Sequence, residues 1–107
     1  LYNEALLDFD KYILHDPKYH LTYRYRAEIY IKLKKYDLAL KDINTLIEIK
    51  PNQSENYVLR AKVHEFLCEY DLAAKDLDKA LDSANDPFLK WRVKYEKERI
   101  LKLKKTK

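Results

Sequence analysis

The chain has 107 residues, with 22 Lys and Arg against 18 Asp and Glu, 47% hydrophobic and 13% aromatic residues, no glycine and one cysteine. This composition argues against a disordered chain or a membrane protein, and a lone Cys68 excludes an internal disulfide and a multi-cysteine metal framework. Without glycine there is no phosphate-cradling glycine loop and no glycine-dependent nucleophile elbow.

Charge is unevenly placed. Residues 90–107 hold nine basic side chains (Lys90, Arg92, Lys94, Lys97, Arg99, Lys102, Lys104, Lys105, Lys107) and two acidic ones, Glu96 and Glu98; residues 1–89 hold 13 basic and 16 acidic. The basic character therefore belongs to the end of the chain. No apolar run approaches the roughly 20 residues that span a bilayer. Opening at Leu1 without Met, the sequence reads as a segment of a longer protein.

Taken in chain order, the first pattern is Tyr2-Asn3-Glu4-Ala5-Leu6, which returns as Tyr36-Asp37-Leu38-Ala39-Leu40 and Tyr70-Asp71-Leu72-Ala73-Ala74, a spacing of 34 residues each time. The same spacing relates Asp8, Asp42 and Asp76; Phe9, Ile43 and Leu77; Ile13, Ile47 and Leu81; and Pro17 with Pro51. A second series, Tyr23, Tyr57 and Trp91, is followed by Ala27 and Ala61. Between them, Tyr23, Ala27 and Tyr30 recur at helical spacing and predict a helix over residues 20–33. Ala39, Leu40, Ile43, Leu46 and Ile47 predict another over 37–49, with Asp37, like Asp71 in the next unit, favoured by the helix dipole at its start. Pro51 ends that helix and Ser54 is an N-cap candidate for the next. Asp86 followed by Pro87 predicts a last helix over about 87–105. No period-2 alternation supports a strand. Ala27 with Ala39, and Ala61 with Ala73, mark close approaches of paired helices, and the tyrosines fill the wider gaps.

These residues resemble the tetratricopeptide repeat family, whose unit is a 34-residue helix–turn–helix. Tyr23 and Ala27, then Tyr36, Ala39, Ile43, Leu46 and Pro51 match one unit; Tyr57, Ala61, Tyr70, Ala73, Leu77 and Ala80 match the next. The resemblance implies one all-α domain, a right-handed α-solenoid: residues 1–17 as the second helix of an incomplete repeat, 18–51 and 52–85 as repeats, and 86–107 as a capping helix with a basic tail. Glycine is common in the family's inter-helix turn; Lys34, Lys35, Cys68 and Glu69 stand there, so a non-glycine residue is expected at positive φ. Tyr95 and Glu98 replace the small and aromatic residues of a further first helix, and Asn85 replaces the repeat proline.

The resemblance also implies a groove, lined by the first helix of each pair, that binds peptides or partner domains. Its side chains here would be Leu21, Arg24, Tyr25, Glu28, Val58, Leu59, Lys62, Phe66, Leu89, Arg92, Val93 and Glu96, a surface of mixed charge and apolar character. One sub-family clamps the C-terminal carboxylates of chaperones with Lys, Asn and Arg. Arg24 meets one of those positions, but Glu28, Leu59, Leu89 and Val93 occupy the other four, so a chaperone-tail clamp is not expected.

On the last helix, Phe88, Trp91 and Tyr95 share one face, read as packing on the preceding unit. Leu89, Val93, Ile100 and Leu103 form a second stripe about 100–120° away, which either covers the groove's end or meets a partner helix, a continuation of the parent chain or a second copy. Lys90, Lys94, Lys97, Lys104 and Lys105 raise an alternative role at RNA or an anionic membrane, against the plainer reading of a solvated helix end.

An enzyme is not expected. His64 and Cys68 lie four apart with Glu65 and Glu69 beside them, but two ligands make no metal site, and His64 aligns with the core-facing Tyr30. His15 and His20 lack a nearby nucleophile, and Asp76, Asp78 and Asp82 read as a solvated helix face. The expectation is a protein–protein interaction module without cofactor or metal, part of a larger adaptor or co-chaperone-like protein, cytoplasmic or nuclear, with Cys68 reduced.

Overall fold

A computed structural model describes residues 1–106. Six helices follow one another: α1 (Tyr2–His15), α2 (His20–Lys32), α3 (Tyr36–Ile49), α4 (Ser54–Phe66), α5 (Tyr70–Ser83) and α6 (Pro87–Lys105), with no strand among the described residues. The all-α helix–turn–helix organisation expected from the 34-residue period is what the chain adopts. It divides between Pro51 and Asn52 into two compact units.

In the first unit, α2 and α3 form a hairpin in which Ala27, Ala39, Ile43 and Leu46 are fully buried. Methyl side chains at both Ala27 and Ala39 let large neighbours interdigitate around a close crossing. Tyr23 is buried beside them and its hydroxyl donates to the Pro17 carbonyl at 2.6 Å, which satisfies the one polar atom that the ring takes inside. Arg26 donates from Nε and Nη2 to the two carboxylate oxygens of buried Asp42, at 2.8 and 2.6 Å, and from Nη1 to Asp10 of α1 at 2.8 Å.

The second unit repeats the hairpin with α4 and α5. Arg60 donates from Nε and Nη2 to Asp76 at 2.8 and 2.7 Å. Asp76 is thus buried and paired, not part of a solvated acidic face: a carboxylate carried into a core holds its charge only with a partner that returns the lost hydration. Ser54 is also placed differently from its reading as a cap. It is the first residue of α4, and its hydroxyl donates to the Ala80 carbonyl at 2.8 Å, relieving an open carbonyl in the last turn of α5.

The faces of α6 are the reverse of the sequence expectation. Val93 and Ile100 are 1% and 2% exposed, clustered with Ala61, Ala73, Ala74, Leu77 and Ala80, and Leu89 and Leu103 pack against that cluster. Phe88, Trp91 and Tyr95 are instead 67%, 62% and 55% exposed. Four aliphatic side chains fit the alanine-rich surface of α5, where three aromatic rings would leave voids. The second apolar stripe, considered for self-association, is therefore the core contact itself. Asp86 caps α6 as expected, accepting from the Phe88 N–H at 3.1 Å, with Pro87 in the first turn.

Both hairpin turns end their first helix in the same way. Lys35 N–H reaches the Tyr30 carbonyl at 2.8 Å and Lys34 N–H the Ile31 carbonyl at 3.0 Å; Glu69 to His64 at 2.8 Å and Cys68 to Glu65 at 2.9 Å repeat the pattern. This double bond pattern demands a left-handed residue, and Lys34 (φ 61°) and Cys68 (φ 58°) supply it without being glycine. The strain of a Cβ at that φ exceeds the entropy that glycine would cost. Lys34→Gly and Cys68→Gly are each expected to stabilise the chain by about 0.5–1 kcal/mol, read as a higher thermal midpoint by circular dichroism. An unchanged or lower midpoint for both contradicts the strain account.

Candidate functional site

Within the second unit, α4, α5 and α6 enclose a cleft of about 290 Å³. Its floor is Val58, Ala61, Leu77 and Ile100, and its rim carries Lys62, Glu65, Arg92, Glu96 and Arg99. A space of this size accepts one partner side chain, below the range that encloses a whole small-molecule ligand. The floor is apolar because Val58 and Ala61 of α4, Leu77 of α5 and Ile100 of α6 meet there, while the rim is charged because α4 and α6 turn their polar stripes outward.

Arg99 organises the rim. Its Nη1 and Nη2 each donate at 2.7 Å to one carboxylate oxygen of Glu65, and Nη2 also reaches Glu96 at 2.7 Å. Hydrogen bonds from Arg99 hold the Glu65 carboxyl below its ordinary pKa; burial opposes this, and the charges of Arg99 and Lys62 assist it. The same bonds, first to Glu65 and then to Glu96, push the Arg99 guanidinium further up. Both acidic groups of the rim are thereby spent on one arginine. Lys62 and Arg92 form no ion pair among the described residues, so the unspent charge at the mouth is positive.

Four of the groove residues expected from sequence line this cleft: Val58, Lys62, Arg92 and Glu96. Val93 is in the core, and Leu89 packs against it. Leu59 is half-buried outside the lining, and Phe66 is exposed. In the first unit, Leu21 is half-buried, Tyr25 is exposed and stacks on Phe9 with centroids 6.3 Å apart, and Arg24 sits 3.7 Å from Glu28. Sequence reasoning missed Arg99 and Glu65, because their partners lie 34 residues apart, beyond helical spacing. It also missed Arg26 and Arg60, although their own 34-residue separation was available as a signal.

His64 is placed between two carboxylates, with Nδ1 2.9 Å from Glu69 and Nε2 3.6 Å from Asp76, while Cys68 is exposed on the turn. No group of three His, Cys, Asp or Glu side chains among the described residues is arranged to hold a metal ion, and no helix is long and apolar enough to cross a membrane. Of the outer lysines of α6, Lys97 pairs with Asp78 and Lys104 with Asp71, each at 2.6 Å.

The fold defined by these hairpins is that of an all-helical repeat protein. Residues 26–53 match the sequence pattern of the tetratricopeptide repeat, and the chain has the fold of tetratricopeptide-repeat domains. The first such domain of Spaghetti (RPAP3), solved with the HSP90 peptide SRMEEVD, is similar over 95% of this chain and 79% of its own, with a TM-score of 0.83 and 24% identity. The first repeat domain of human RPAP3 gives 0.82 and 25% identity over 94% and 77%. The TPR2B domain of yeast Sti1, in complex with pHsp70, gives 0.74 and 23% over 89% and 84%. Among curated proteins no sequence matches.

A carboxylate whose pKa falls on folding adds stability above its ordinary value, here near 4.5, and loses that contribution as the pH falls through the lower folded value. Glu65→Gln is therefore expected to lower the thermal midpoint at neutral pH, with the gap to wild type closing as the medium is acidified below pH 4.5. A gap that persists unchanged in strong acid contradicts a charge-based role for Glu65.

Proposed function

We propose that the chain is a protein-interaction module that captures an extended peptide segment through the cleft of the second unit. The observation that carries this reading is the combination of an aliphatic floor with two cations, Lys62 and Arg92, that have no ion-pair partner among the described residues. An aliphatic side chain of the peptide fills the cleft, and a neighbouring carboxylate meets Lys62 and Arg92 at the mouth; Arg99, already satisfied by Glu65 and Glu96, shapes the wall. Leu21, Arg24, Tyr25 and Glu28 of α2 belong to the first unit and are proposed as a contact surface of that unit by itself. The module performs no chemistry and acts as part of a larger adaptor protein, in the cytoplasm or nucleus.

Two of the similar structures hold chaperone peptides, but a chaperone-tail clamp is not proposed here. Glu28, Leu59, Leu89 and Val93 stand at four of the five clamp positions, with Val93 buried and Glu28 beside Arg24. An RNA- or membrane-directed role for α6 is the weaker reading, since Lys97 and Lys104 are engaged with Asp78 and Asp71.

Binding is tested by fluorescence anisotropy with a labelled peptide of alternating leucine and aspartate. Charge-assisted hydrogen bonds contribute about 1.5–3 kcal/mol each, so Lys62→Glu and Arg92→Glu are each expected to weaken capture by roughly 10- to 100-fold, and Val58→Asp to abolish it. Equal binding by wild type and all three variants overturns the assignment.

A further inference from the structure

The two hairpins define how a first helix meets a second helix in this sequence. Tyr23, Arg26 and Ala27 of α2 meet Ala39, Asp42, Ile43 and Leu46 of α3, and the positions 34 residues on, Tyr57, Arg60 and Ala61, meet Ala73, Asp76, Leu77 and Ala80 of α5. Each of the second-helix positions named is buried. In α1 the same positions are Ala5, Asp8, Phe9 and Tyr12, of which Asp8 and Tyr12 are exposed and Ala5 and Phe9 only half-buried. In α6 the first-helix positions are Trp91, Lys94 and Tyr95, all exposed. So α1 presents an open second-helix face and α6 an open first-helix face.

The faces are also complementary in charge. Helix α1 carries Glu4, Asp8 and Asp10 against Lys11, whereas α6 carries eight basic residues against Glu96 and Glu98. Lys94 stands where Arg26 and Arg60 stand, Asp8 where Asp42 and Asp76 stand, and neither forms an ion pair among the described residues. Two α6 helices would instead oppose like charge to like charge. The exposed rings follow one another in a row, Phe88 tilted against Trp91 with centroids 5.9 Å apart and Trp91 stacked on Tyr95 at 6.0 Å, which makes a continuous apolar ledge.

We propose that α6 of one copy docks on α1 of a second copy, rebuilding the hairpin contact between molecules with Lys94 opposite Asp8. The contact is head-to-tail, so each pair still offers one free α1 and one free α6, and mass grows beyond a dimer. Tyr95 is the one position that departs from the hairpin pattern, since alanine stands there in α2 and α4. Its bulk holds the two helices further apart than in the hairpins and makes this contact the weaker one.

That departure separates the proposal from every other use of the aromatic ledge. Light scattering on the 107-residue chain is expected to show mass rising with concentration, accompanied by a blue shift of Trp91, the only tryptophan. Asp8→Lys or Lys94→Asp alone should move half-association to about tenfold higher concentration, and the double exchange should restore it. Tyr95→Ala should strengthen association, because it restores the alanine of the hairpins. All these positions are exposed, and far-UV circular dichroism verifies that each variant is folded. A constant monomer mass, weakening by Tyr95→Ala, failure of the double exchange to rescue, or mass growth without a Trp91 shift each overturns the proposal. A Trp91 shift that needs phosphatidylserine vesicles or single-stranded RNA, with monomer mass retained in their absence, does so as well.

Discussion

Close approach at paired alanines is the constraint from which the other contacts follow. Ala27 and Ala39 in one hairpin, and Ala61 and Ala73 in the other, are at or near zero exposure. With the helices that near, the arginine next to the alanine of the first helix meets an aspartate about one turn beyond the alanine of the second, with both carboxylate oxygens in reach, as the 2.6–2.8 Å pairs in both hairpins record. A leucine in place of either alanine would part the helices by more than the fork of a guanidinium tolerates, so packing comes first and the ion pair second.

Most of the fold was legible because a period of 34 residues is a statement about geometry that no single helix could make. Tyr2, Tyr36 and Tyr70 fixed the frame, and the pairing of helices followed from where alanine recurs. What was not legible is which side of α6 packs. Trp91 continues the series of Tyr23 and Tyr57, and that likeness suggested burial. Tyr57, however, packs against the core cluster of its own hairpin, while α6 meets the preceding repeat through a different stripe. Leu89, Val93, Ile100 and Leu103 make that contact on α5. The periodicity of one helix reports its apolar stripes without saying which neighbour each one meets. The cleft was legible by halves for the same reason: Val58, Lys62, Arg92 and Glu96 follow from helical spacing, whereas Arg99 and Glu65 meet only through the tertiary fold.

At the cleft, one arginine decides the sign of the surface. Were Arg99 absent, Glu65 and Glu96 would face Lys62 and Arg92 as two acids against two bases. With Arg99 bridging both acids, the remaining pair of cations defines what the mouth attracts. The bridge is partly exposed, so its net contribution to stability is modest; its consequence is electrostatic and local.

A buried ion pair is weak evidence of stability, because desolvation offsets much of its attraction. The Arg26–Asp42 and Arg60–Asp76 pairs have a second consequence that desolvation does not cancel. A helix sliding by one turn along its partner would leave a guanidinium and a carboxylate unmatched in an apolar crossing, at a cost of several kcal/mol per charge. The pair therefore selects one axial position among several that alanine packing alone would allow. In the proposed docking of α6 on α1 of a second copy the same selection would apply, because Asp8 and Lys94 stand at the selecting positions. A partner without the opposite charge at the matching turn would still find the aromatic ledge of α6, but in no fixed register.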